Sequence, residues 1–235
     1  MGTKKIEPST RYAVYLALFY NVVGMIPFLL PSTVKDLWPG IKTENCPRRG
    51  PCTEAIEFTT AVIFMQVIVG VALMYACLVA IPGKNGLLAG LSIFICTMAK
   101  HLVVDGLTPP PPVMVMTAAT LAAVVAAPGE WGKRAFVAFC LINAFTFVTN
   151  PLMVMQDTWP EITAGSEAAK VGTFELEVVA LYALMSAIVA ATPNRALGLA
   201  YSWQVVLPVL GKHVILDKSG PPAPMSASIL DPTPT

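Results

Sequence analysis

The sequence predicts an all-α, polytopic membrane helical bundle of about seven spans, arranged as two parallel three-helix repeats joined by a linker helix. Composition is the first reason: 55% of the 235 residues are hydrophobic and only 12% are charged, against about 25% charged in soluble domains. The second is a series of apolar stretches, each about 20 residues long and therefore able to cross roughly 30 Å of hydrocarbon. The third is a set of landmarks that recurs in both halves of the chain. A cytosolic globule is thereby excluded as the leading interpretation.

Seven apolar stretches are the predicted spans. Four satisfy the length requirement or nearly do so: 12–31, 58–81, 135–154 and 172–192. The others are shorter or carry charges near one end: 85–104, 112–129 and 196–216. The first stretch follows basic residues, as a signal peptide does, but its apolar run is too long and no small-residue cleavage site follows, so it is assigned as a span.

Polar and turn-forming residues divide the chain between these spans. Short connectors rich in Pro and Gly are typical of tight turns, and they lie at 82–84, 127–130 and 192–195. Two longer polar connectors cover 32–57 and 156–170. The predicted organisation is a polar N-terminal segment (1–11), a first three-helix repeat (12–111), a linker span (112–130), a second three-helix repeat (131–217) and a disordered Pro/Ser-rich tail (218–235).

An internal repeat is predicted because three landmarks recur in the same order. The segment KDLWPGI at 35–41 recurs as QDTWPEI at 156–162. A turn with Pro82 and Lys84 recurs with Pro193 and Arg195, and the pattern KHxxxD at 100–105 recurs at 212–217. The offsets are 121, 111 and 112 residues. A unit with an odd number of helices would invert its copy, and one linker span restores the orientation, so the repeats are parallel.

The predicted spans give one side of the membrane an excess of basic over acidic residues. That face carries two acidic residues and seven basic ones, which are Lys4, Lys5, Arg11, Lys84, Lys133, Arg134 and Arg195. The Lys and Arg count of 7 against 8 does not decide the orientation, but setting aside Lys100 and Lys212, which lie within helix ends, gives 7 against 6 and a slight preference for an N-terminus on the inside. Cys46 and Cys52 fall on the opposite face, where a disulfide is favoured over a metal site because their connector contains no His.

The two histidines of the chain lie in the repeated pattern, and they are the main candidates for chemistry. His101 and Asp105 are spaced to meet on one helix face beside Lys100, and Lys212, His213 and Asp217 repeat this arrangement. One interpretation is a pair of proton-handling or ligand-gripping sites. The other is structural: Lys extends to the interface, His favours the end of the helix, and Asp marks the exit from lipid.

Polar residues inside the spans give a second set of candidates. Gln66 and Glu177 correspond when the copies are aligned on their turns, so they could line a shared cavity at the same depth. Alternatively, the sixth span begins after Glu177 and leaves Glu175 and Glu177 among the headgroups. Asn21 and Asn143 are also similarly placed, and we expect them to form hydrogen bonds between helices.

Enzymatic and nucleic-acid functions find little support in the sequence. It contains no GxSxG, HExxH, P-loop or GxGxxG pattern, so no catalytic, metal-binding or cofactor-binding residue is predicted, and no cofactor. The net charge of +1 provides no basic surface for nucleic acid. An enzyme is thus the less favoured class.

Parts of each copy resemble a known family. A polar residue in the second helix, a Pro-Gly-Lys or Pro-Asn-Arg turn, and His followed closely by Asp at the end of the third helix resemble the DoxX-like four-helix membrane proteins. The resemblance covers about half of each copy and implies a duplicated form of that unit. The layout of three, one and three spans also resembles the SWEET sugar carriers.

These observations predict an integral, multi-pass protein whose partners are the lipid bilayer and other membrane proteins, with no nucleic acid. The leading hypothesis is a non-enzymatic accessory, assembly or chaperone-like component that works through contacts between helices. The alternative is a small-solute or proton-coupled transporter, with a path between the two repeats lined by Gln66, Glu177 and the two His-Asp pairs. A carrier needs a wet cavity near the midplane, whereas a dry interface between the units would favour the accessory role.

Overall fold

The computed structural model describes residues 8–30, 56–128 and 130–212, and within these ranges the chain is helical with short connectors and no strand. The α-helices in chain order are α1 Pro8–Leu18, α2 Ile56–Ala80, α3 Lys84–Val103, α4 Pro111–Ala126, α5 Trp131–Thr149, α6 Pro151–Gln156, α7 Glu167–Ala191, α8 Arg195–Gln204 and α9 Val206–Gly211. A π-helical turn at Phe19–Val23 and a 3-10 turn at Ile26–Leu29 extend α1.

Within the described residues, five helical stretches are long and apolar enough to cross a membrane, which indicates a multi-pass membrane protein by length and composition. They are Arg11–Leu29, Thr59–Ala80, Lys84–Val103, Trp131–Thr149 and Ala168–Ala191. Two predicted spans take a different form. The linker α4 has 16 residues, and the described part of 196–216 consists of the shorter helices α8 and α9.

The centre of the bundle is formed by α2 and α7, the two longest helices at 25 residues each. Both are apolar around most of their circumference, as helices buried within a bundle are. Tyr75 and Tyr182 pack edge to face across the two helices with ring centroids 6.2 Å apart. The side chains of Met155 and Phe64 pack closely on Gly172, where a Cβ would overlap the Met155 sulfur.

The remaining helices surround this central pair. One side of the bundle has α1 packed on α2 and touching α8, and the other has α5 packed on α7 and touching α3. The linker α4 packs against both α3 and α5. Two contacts fix these outer helices: Tyr75 and Ser202 share a hydrogen bond of 2.8 Å, and Phe94 packs edge to face on Phe139.

Specific residues begin and turn the helices. Gly83, between α2 and α3, has a φ of 69°, a left-handed conformation that glycine adopts without strain. Ser166 caps α7 by accepting a hydrogen bond from the amide of Ala169 at 3.1 Å. Asn194 caps α8 by accepting from the amides of Ala196 and Leu197. The predicted connectors are therefore tight turns with stabilised helix starts.

Asn21 and Asn143 are both buried, but their amide groups donate within their own helices. The side-chain nitrogen of Asn21 donates to the carbonyl oxygen of Ala17 at 2.7 Å, and that of Asn143 donates to Phe139 at 2.8 Å. These donor contacts lie within one helix and are not the hydrogen bonds between helices that the sequence predicted. A carbonyl one turn back is the nearest acceptor, and bonding to it satisfies the donor without a second helix.

Candidate functional site

The first predicted triplet forms a polar cluster with Gln66, which we call the Lys100 cluster (Gln66, Lys100, His101 and Asp105). The Lys100 ammonium donates to Oδ2 of Asp105 at 2.5 Å and to Oε1 of Gln66. Nδ1 of His101 lies 2.8 Å from the same Asp105 oxygen. Because Gln66 belongs to α2 and Lys100 to α3, the cluster ties these two helices together at the end of α3.

A second ion pair joins two other predicted candidates, Glu177 and Lys212. The ammonium of Lys212, directly after α9, donates to Oε1 of Glu177 on α7 at 2.5 Å. Glu177 and Lys212 are the residues that the predicted repeat matches with Gln66 and Lys100. His213 and Asp217, the other members of this triplet, lie outside the described residues, as do Cys46 and Cys52.

The Lys100 cluster borders a small apolar pocket. This His101 pocket has a volume of about 80 Å³ and lies between α2, α3, α5, α7 and the connectors that follow α3 and α6. His101 is only 3% exposed, and its Nε2 is buried without a hydrogen-bond partner among the described residues. The indole nitrogen of Trp159, also on the pocket wall, is in the same state.

The geometry allows His101 to hold one proton or hydrogen bond in a fixed direction. An ionised Asp105 accepts from Nδ1–H, which orients the ring and leaves Nε2 at the pocket. The pocket has room for water or a small apolar group, and the described residues contain no group of three or more His, Cys, Asp or Glu side chains that could hold a metal. The Lys100 cluster therefore joins α2 to α3 and leaves Nε2 of His101 without a hydrogen-bond partner among the described residues.

Glu175 is the buried carboxyl group of the described chain. Its side chain is fully buried, and neither carboxylate oxygen has a hydrogen-bond partner among the described residues. The helix that carries it begins at Glu167, so both Glu175 and Glu177 lie inside α7 and not before its start. Glu177 forms an ion pair with Lys212, whereas the Glu175 carboxylate has no ion-pair partner among the described residues.

Sequence reasoning missed a groove on the outer surface, which we call the α1–α8 groove. It has a volume of about 700 Å³ and is lined by Ala13, Leu16, Ala17, Tyr20, Ala196, Leu199, Ala200 and Trp203. Alanines four residues apart occur on both walls, and such spacing lets another helix approach closely in a membrane. That spacing, at 13/17 and 196/200, is the signal that could have identified it.

Comparison with known proteins provides no identification: no family model, curated protein or solved structure matches this chain.

Proposed function

We propose that this chain is a non-enzymatic accessory or assembly component of a membrane complex, and that its α1–α8 groove holds a transmembrane helix of a different protein. The observation that carries the proposal is the groove itself, an apolar surface with alanines on both walls and an exposed Tyr20 and Trp203 beside them. Close helix packing in lipid favours small residues of this kind.

The proposal includes the repeated architecture, which matched contacts support. Gln66–Lys100 in one half and Glu177–Lys212 in the other join corresponding residues. The two central helices have equal length. The contact of α1 with α8 has its counterpart in the contact of α5 with α3. We propose seven spans, with α8 and α9 beginning the last one.

The repeat indicates what the groove would accommodate. In one half, the alanine- and valine-rich α4 packs against α3 and α5. The corresponding place in the other half lies between α8 and α1, where the described residues supply no helix and leave the α1–α8 groove open. A partner helix of similar composition would occupy that place as α4 occupies its own.

The packing between the halves favours this role over the alternative carrier. An apolar cluster joins α2 and α7, with buried Met65, Ile68 and Val71 on one helix and Val179 and Ala183 on the other. Among the proposed path residues, Asp105 and Glu177 are each held in an ion pair with a lysine. One observation favours a carrier: the unpartnered carboxyl of Glu175 in the bundle core. A proton-coupled or small-solute transporter is therefore the second candidate.

Crowding the groove tests the proposed function. We expect Ala13→Trp with Ala200→Trp to reduce the amount of the co-purifying partner by about tenfold after mild solubilisation, because indole rings would fill the helix site. Both positions are exposed, so the chain itself should fold normally. Native mass spectrometry measures the complex.

The matched control for groove crowding is Val148→Trp, an exposed position on α5 outside the groove. This variant should retain the partner. A wild-type chain that behaves strictly as a monomer in mild detergent, or equal loss of the partner in the groove and control variants, would contradict the proposed role.

A further inference from the structure

We propose that a cavity at the connector end of the bundle is a binding site for a negatively charged phosphate group. The connector cavity has a volume of about 290 Å³ and lies where three tight connectors meet, those between α2 and α3, between α4 and α5, and between α7 and α8. Its charged lining residues are Lys84, Lys133, Arg195 and Glu130. Cationic residues from the first turns of three separate helices, α3, α5 and α8, therefore converge on one space.

The charges in the connector cavity do not balance. Lys133 forms an ion pair with Glu130, which accounts for one cation and the one carboxylate in the lining. Lys84 donates to the carbonyl oxygen of Val125 at 2.7 Å, a contact that positions its ammonium without neutralising it. The positive charges of Lys84 and Arg195 thus remain uncompensated by the residues that line the cavity.

Arg195 supplies the donors that a phosphate would use. Its Nε and one terminal nitrogen, Nη2, are buried and have no hydrogen-bond partner among the described residues. Leaving buried donors of a charged group unpaired is costly. A phosphate oxygen pair matches the planar guanidinium donors, and its charge would compensate the cation. Burial also lowers the pKa of the Arg195 guanidinium, which a bound anion would oppose.

The position of the cavity identifies the chemistry and two sources of the ligand. It lies at the ends of α2, α3, α5 and α7, the helices long enough to span a bilayer, and so at the level of the headgroups. Basic pockets between transmembrane helices at this level suit anionic lipid headgroups. A free inorganic phosphate offers the same oxygens and charge. This inference is independent of the partner-helix proposal.

Lipid binding by the purified, delipidated full chain tests the inference. We expect phosphatidylglycerol to remain bound in native mass spectrometry and to raise the thermal midpoint, whereas zwitterionic phosphatidylcholine should have little effect. Arg195→Gln should weaken phosphatidylglycerol binding about tenfold, the loss expected for one strong charge-assisted contact. Lys84→Gln should also weaken phosphatidylglycerol binding, and this variant tests the inference if Arg195→Gln does not fold.

The matched control is Arg134→Gln, which removes the same charge from an exposed residue of the first turn of α5 that does not line the cavity. Binding should be unchanged in this variant. Inorganic phosphate is the second arm: stabilisation by phosphate as well as by lipid would identify the free anion as a ligand, and stabilisation by lipid alone would identify the headgroup. Equal losses in the Arg195 and Arg134 variants, or no binding of either probe, would overturn the inference.

Discussion

Gly86→Ala is expected to reduce the free energy of unfolding by about 3 kcal/mol, the upper range for overpacking a close contact. A Cβ at Gly86, in the first turn of α3, would lie 2.0 Å from the carbonyl oxygen of Ile81 and 3.4 Å from that of Cys77. Both are backbone atoms, so no side-chain rotation can relieve the contact. The turn between α2 and α3 must open instead. The midpoint of thermal unfolding in mild detergent measures the effect.

Asn85→Ala is the control for this prediction. Asn85 is the exposed neighbour of buried Gly86, so the substitution should change stability by no more than about 0.5 kcal/mol. The same unfolding midpoint in Gly86→Ala and in the wild type would show that α2 and α3 do not approach as closely as described.

Asp105→Leu is expected to reduce the free energy of unfolding by roughly 2 kcal/mol, below the range for a fully buried ion pair. The Asp105 side chain is 13% exposed and accepts from both Lys100 and His101. Its removal leaves the ammonium without its anionic partner and Nδ1 of the buried imidazole without an acceptor. Thermal unfolding measures the loss.

The double variant Lys100→Met with Asp105→Leu distinguishes the contribution of the ion pair from that of side-chain packing. Removing both charges eliminates the unpaired cation, so the double variant should be more stable than Asp105→Leu alone. Additive losses from Lys100→Met and Asp105→Leu would indicate that the two side chains contribute independently, contrary to the described ion pair.

Much of the helix pattern could be predicted because hydropathy reports burial and lipid contact directly. The helices α2 and α3 follow the apolar runs at 58–81 and 85–104 closely, whereas α7 begins at Glu167, before the predicted start at residue 172. The start of α5 was placed too late, at residue 135 instead of Trp131, because Lys133 and Arg134 reduce the local hydropathy. A helix can nevertheless begin with charged residues at its exposed end.

The breaks in the helices were harder to predict, and proline explains two of them. Pro151 begins α6, and Pro208 lies in the first turn of α9, positions where the missing amide hydrogen is not needed. Each predicted span therefore becomes two helices, divided at Asn150 and at Val205. A hydropathy profile changes little at either proline. It therefore does not predict that one helix ends and another begins there.

The candidate site was partly predictable for a different reason. Matching positions in the predicted repeat drew attention to Gln66, Glu177, Lys100 and Lys212, but the contacts of Gln66 with Lys100 and of Glu177 with Lys212 were not predicted. The α1–α8 groove and the connector cavity depend on which helices become neighbours. A linear pattern of residues does not determine that.

Photo-crosslinking from position 200 in the native membrane tests the central claim most directly. With a photoreactive residue replacing Ala200 in the groove, we expect an adduct with one other membrane protein, and Ala13→Trp should suppress it. The same probe replacing Val148 should give lipid adducts only. Adducts with a second copy of this chain, or with lipid alone at both positions, would contradict the proposal that this protein holds a partner helix.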